Sequence, residues 1–105
     1  MEDSPEHEKD YRVDSRALKT FVEKIVEETR GVGIRRTLFG KEVKVKEYPE
    51  GIDVSLGLVV SRGEEVPNIV REFRERLSGE LQHTFSTPLR QVHITIRKIA
   101  GNPST

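Results

Sequence analysis

"GIDVSLGLVVSRGEEVPNIVREF", residues 51–73, is the stretch on which the fold turns. Ile52, Val54, Leu56, Leu58 and Val60 alternate with Asp53, Ser55, Gly57 and Val59. A period of two belongs to a strand with one face in a core, because successive side chains point to opposite sides. The alternation stops at Ser61-Arg62-Gly63, and Val66, Ile69, Val70 and Phe73 then recur at helical spacing. Pro67 suits a first helical turn, where its missing N–H has no partner to lose. Strand, glycine corner, helix is also how phosphate-binding loops begin. Here, however, Glu64 and Glu65 stand at the helix start. Acids there suit the positive end of the helix dipole and repel a phosphate. Gly63 and Pro67 are therefore predicted to form a structural joint.

Working outward, Leu77 and Leu81 extend the apolar stripe and give a helix over 67–85. Arg71/Glu75 and Glu72/Arg76 are four apart, as side-chain ion pairs on a helix require. Gly79 interrupts this helix, with close packing one reason to place it there. In "RQVHITIRKI" (90–99), Val92, Ile94 and Ile96 face one way and His93, Thr95 and Arg97 the other. A strand–helix–strand unit crosses over right-handed, so strands 52–60 and 90–99 are predicted to run parallel. Upstream, Val43 and Val45 alternate with Lys44 and Lys46, and Tyr48-Pro49-Glu50-Gly51 reads as a turn. A hairpin thus joins about 41–47 to 52–60, with a further strand at 33–38 and Gly40 in a tight turn. Leu18, Phe21, Val22, Ile25 and Val26 make the stripe of a first helix over 14–31, capped by Asp14 or Ser15 and ended by Gly31. "YRV" (11–13) is a short strand or a lead-in.

These elements predict an α+β fold: a two-layer sandwich, two amphipathic helices packed on one face of a three- to four-stranded mixed sheet. The domain spans 11–99. Residues 1–10 hold five acids and one base, carry no hydrophobic pattern and are expected to be disordered. Residues 100–105 read as a polar tail.

The 105 residues suffice for one small core, with roughly 65% of the unfolded surface buried on folding. Lys plus Arg and Asp plus Glu both number 18, so no long-range field favours nucleic acid or an acidic membrane. With no cysteine, disulfides and thiolate metal sites are excluded. No leader or spanning segment is evident, and the expected address is the cytoplasm. Charged residues reach 34%, which fits a thermophile's protein and equally a well-solvated small domain.

The chemistry-bearing residues are sparse. His7, His83 and His93 show no metal-ligand spacing. Ser55, Ser61, Ser78 and Ser86 lack a nucleophile-elbow context. "GVG" (31–33) ends a helix and enters a strand, the reverse of a dinucleotide site. No catalytic residue, cofactor or metal is expected. Arg35, Arg36, Lys41, Lys44 and Lys46 gather at the first hairpin and make weak nucleic-acid binding the alternative. Against it, "IDVSLGLVV" and "HITIR" offer no strand aromatics for base stacking.

The second half, "GIDVSLGLVVSRGEEVPNIVREFRERLSGEL" followed by "QVHITI", resembles the alkaline-shock-protein family of bacterial proteins. Gly31-Val32 matches that family's helix-ending element. Gly63, Val66 and Pro67 match its corner, and Val92-His93-Ile94 falls where its last strand element does. The likeness covers about 11–99. Arg62 replaces the family's aromatic before the corner glycine, Ser86 stands near its Thr-Gly turn, and His93 replaces its usual Asn. The resemblance implies no catalysis. It implies a cytoplasmic protein of cell-envelope or general-stress homeostasis that self-associates, held at the membrane by an anchor protein or associated with acetyl-CoA carboxylase and fatty-acid synthesis.

The expected function is accordingly a non-enzymatic interaction or scaffold protein. Its candidate interaction face is the outer side of the sheet: Lys44, Lys46, Asp53, Ser55, Gly57, Val59, His93, Thr95 and Arg97. The small residues at 53, 55 and 57 make that face flat. The expected partners are proteins, including further copies joined at an edge strand, with no small-molecule substrate.

Overall fold

A computed structural model describes residues 13–100. The expectations for residues 1–10, for most of 11–13 and for 101–105 lie outside these residues. Helix α1 spans Ser15–Glu28, and Asp14 caps it, its Oδ1 accepting from the Arg16 N–H at 2.7 Å. That hydrogen bond holds the Asp14 carboxyl below the usual range. Leu18, Val22, Ile25 and Val26 are buried, spaced to share one helical face. The helix stops three residues before the predicted end. Thr29 turns extended and closes the last turn with its hydroxyl on the Ile25 carbonyl, 2.8 Å away. Gly31 follows with a φ of +84°.

Strand β1 (Val32–Ile34) leads into a small ribbon, β2 (Arg36–Thr37) and β3 (Gly40–Lys41), and then β4 (Val43–Tyr48). A turn at Pro49-Glu50 reverses the chain into β5 (Gly51–Ser61). Helix α2 (Val66–Phe85) crosses over to β6 (Leu89–Ala100). β5 is central. Antiparallel to it on one side run β4, paired from Val43↔Leu56 to Tyr48↔Gly51, and β1, paired from Val32↔Val60 to Ile34↔Leu58. β6 lies on its other side, parallel as predicted. The sheet is thus mixed, and the two-layer α+β sandwich stands.

The core gathers where the alternation of β5 meets both helix stripes. Ile52, Val54, Leu56 and Leu58 cluster with Leu18, Val22, Ile25 and Val26 of α1 and Phe73, Leu77 and Leu81 of α2, and Val60 and Ile69 are buried as well. Each such side chain contributes a gross ~1.5–3 kcal/mol on burial. Phe21 and Phe85 meet edge to face at 4.9 Å and tie the two helices together. So does Arg76, whose Nη2 lies 3.2 Å from Glu28 Oε1. That contact, and Arg71 donating to Asn68 Oδ1 at 3.0 Å, replace the predicted pairs within α2. A methyl at Gly79 would meet nothing within 4 Å, so close packing does not explain that glycine.

One prediction is corrected in detail. Residues 33–38 do not form one strand, and Lys41 does not belong to the long hairpin. β1 and β4 lie in line along β5, and the eight residues between them, 35–42, leave the sheet as a ribbon. The cause lies at Gly57. Arg35 N donates to Gly57 O (2.9 Å), Gly57 N donates to Glu42 O (3.1 Å), and Glu42 N donates to Arg35 O (2.8 Å). The central strand thus pairs with both ends of the excursion at a single residue. The ribbon's own ladder is Arg36↔Lys41 and Thr37↔Gly40. Thr37 Oγ1 clasps the turn, accepting from Phe39 N at 3.1 Å and donating to Gly40 O at 3.0 Å.

Candidate interaction surface

Both helices cover the face of the sheet that carries the β5 core residues. The opposite face carries the residues singled out from the sequence, and the register shows how they meet. Lys44, Ser55 and His93 form one cross-strand row. Lys46 and Asp53 form the next with Gln91, Gly57 pairs with Thr95, and Val59 with Lys98. Ser55, His93 and Thr95 are exposed, whereas Asp53 and Val59 are half-buried and Gly57 is buried.

Side chains crossing above Gly57 account for that burial. Glu42 accepts from Arg97 through both carboxylate oxygens, from Nε at 3.1 Å and Nη2 at 2.6 Å. Arg35 Nη1 lies 3.3 Å from the same carboxylate. Arg97, with Arg35 beside it, holds the Glu42 carboxyl below its usual range, and Glu42 in turn raises Arg97. A Cβ at residue 57 would collide with Glu42. Only glycine there lets this fork reach across the central strand.

A second cluster lies at the other end of the face. Arg90 Nη1 meets Asp53 Oδ2 at 2.6 Å, which raises the Arg90 pKa. The Arg90 guanidinium also stacks over Tyr48 at 4.4 Å, with Lys46 Nζ 5.8 Å from the same ring.

Arg90 and Glu42 were missed as members of the face. Two bulges explain Arg90 and its neighbours: the β5–β6 register shifts at Ile52/Asp53 and again at Leu58/Val59. Arg90-Gln91 and Arg97-Lys98 therefore each place two polar residues opposite one residue of β5. The sequence does carry that signal, as doubled polar residues on either side of the alternating "VHITI".

The corner at Gly63 adopts φ +95°. Glu65 caps α2 through its backbone, its carboxylate taken by the Asn68 side chain, and Glu64 packs over Gly31. The Glu65 side chain makes no capping hydrogen bond to the helix, yet the two acids set negative charge beside the helix start that a phosphate would need.

The bases proposed for nucleic acid are partly engaged elsewhere. Arg35 pairs with Glu42, and Lys41 lies 3.5 Å from Glu23 and 3.6 Å from Glu27. Among the described residues there is no cluster of three or more His, Cys, Asp or Glu able to hold a metal ion. None of the described helices is long and apolar enough to cross a membrane.

Two hollows border the face. One, of about 490 Å³, lies beside the ribbon between Lys19, Phe39, Lys44 and Arg97. The other, of about 400 Å³, runs along β6 under Arg74 and Ser78 of α2, over Leu89 and Val92. β6 pairs only with β5 among the described strands, so its far edge is open.

The class these features define is a small α+β domain with one helix-covered and one bare sheet face. Comparison with protein-family models, curated proteins and solved structures returns no match.

Proposed function

We propose that the protein is a non-enzymatic interaction and scaffold protein that works through its bare sheet face and self-associates. The observation that carries this reading is the asymmetry of the sandwich. One sheet face is sealed by two helices, while the other presents an exposed strip, Ser55, His93 and Thr95, between two ion-paired clusters. Exposed strips with fixed charges at their borders suit docking, since the charges set register and suppress wrong partners. The resemblance to alkaline-shock proteins supports a role in envelope or general-stress homeostasis.

The test is light scattering over a concentration series, with affinity capture on the wild-type chain and on a Ser55→Arg/Thr95→Arg variant. Both sites are exposed, so the variant keeps the core. Association or capture that the variant abolishes is expected. A strict monomer that captures nothing overturns the reading, as does a captured partner indifferent to the variant. Capture of acetyl-CoA carboxylase would shift the pathway to fatty-acid synthesis while retaining the scaffold role.

A further inference from the structure

The least satisfied feature of the surface is the ribbon tip. Leu38 and Phe39 are each 98% exposed, side by side at the turn. Single exposed apolar residues need no explanation, but two adjacent ones at the end of a projecting ribbon do. At ~3.3 Å per strand residue, the ribbon measures about 10 Å from root to tip. Its surroundings are basic. Lys41 and Arg97 are tied to acids, whereas Arg36, Lys19 and Lys44 have no ion-pair partner among the described residues. Lys19 and Lys44 share with Phe39 the walls of one hollow.

Three occupants fit an exposed apolar tip. A second copy would receive it in the groove along β6, but that groove carries Arg74, which has no ion-pair partner among the described residues and repels the equally unpaired Arg36 of the ribbon. A protein pocket would need about 800 Å² from each partner for a stable interface, more than two tip residues supply. A bilayer surface needs no such area. Apolar side chains entering the headgroup layer by ~5–10 Å, with bases beside them, give reversible attachment to anionic lipid. The reach of the ribbon and the sign of its charge both match.

We propose that the Leu38–Phe39 ribbon is a membrane-surface probe. Its tip enters an anionic phospholipid headgroup layer while Arg36, Lys19 and Lys44 meet the lipid phosphates. This is direct lipid contact, and of the sheet-face residues it uses Lys44 alone.

The chain has no tryptophan, so Phe39→Trp installs a lone indole at the tip. The full chain carrying F39W is titrated with phosphatidylcholine vesicles, with and without phosphatidylglycerol. A blue shift with the anionic vesicles, quenched by bromolipids and lost at ~1 M salt, where the screening length falls to about 3 Å, is expected. Co-sedimentation of the otherwise unaltered chain should weaken roughly tenfold or more in Leu38→Ser/Phe39→Ser, since the transfer of two large apolar side chains is lost. It should also weaken in Lys19→Glu/Lys44→Glu. Absence of vesicle binding overturns the proposal. So does binding unaffected by the tip variant, or a blue shift that follows protein concentration without vesicles, which would assign the tip to a second copy. Failure of the sheet-face reading leaves every one of these outcomes unchanged.

Discussion

A methyl group added at Gly79 would meet open space, and at Gly63 likewise, yet the two glycines carry opposite expectations. Gly79 sits within α2 at an ordinary helical φ, so Gly79→Ala relieves the backbone entropy cost of glycine and adds up to ~1 kcal/mol. Gly63 holds φ +95°, where an L side chain is strained whatever the space around it. Gly63→Val costs ~1–2 kcal/mol or more, since the valine is also β-branched. Thermal unfolding should therefore rise for Gly79→Ala and fall for Gly63→Val, by roughly 4–8 °C per kcal/mol in a domain of this size. Sulfate or a nucleotide should leave the melting temperature unmoved, because Glu64 and Glu65 occupy the corner. A nucleotide-induced rise would restore an anion site there.

At the scale of elements, Glu42 joins the root of the ribbon to β6 across the central strand. Its carboxyl is held below the usual range by Arg97 first, with Arg35 adding to it. A carboxylate with a lowered folded-state pKa binds fewer protons folded than unfolded. Its contribution is complete above the unfolded value of ~4.3 and disappears as pH falls through the lowered folded value. Wild type and Glu42→Gln should therefore differ in stability at neutral pH and converge in acid below that value. Gly57→Ala should shrink the neutral-pH difference, because its methyl displaces the carboxylate. A difference that persists undiminished in acid would show that Glu42 acts otherwise than as a charge. The same fork marks how far the sequence could be read. Alternation along β5 and the stripes of α1 and α2 were legible, because burial on one face imposes a period that residue type reveals. The breaks were not. Gly57 sits on the outer face like any polar position, and nothing in its identity tells that the neighbouring strand departs there. Leu38 and Phe39 look like core residues by type, yet a two-residue turn leaves them nothing to pack on. Only the doubled polar pairs flanking "VHITI" advertised their bulges.

For the whole molecule, the ribbon and the sandwich are separable. The ribbon adds no fully buried apolar side chain to the core, and its root closes on itself through the Glu42 N–H and the Arg35 carbonyl. Lys41's pairs with Glu23 and Glu27 are its main side-chain ties to α1. Partly exposed pairs of that kind contribute only ~0–1 kcal/mol each. Replacing Arg36–Lys41 with Asn-Gly, a sequence suited to a two-residue hairpin turn, should therefore leave a folded domain that melts within a few degrees of the wild type. Arg35 and Glu42 remain to pair with Gly57, so the Glu42–Arg97 fork should persist. Circular dichroism and thermal melts check the fold, and light scattering checks association through the bare face. Vesicle co-sedimentation on the same sample reads the ribbon alone. Retained fold and retained protein association with lost vesicle binding is the expected combination. If the shortened chain does not fold, the ribbon is part of the core's architecture, and the separation of a packing sandwich from a contacting arm is wrong.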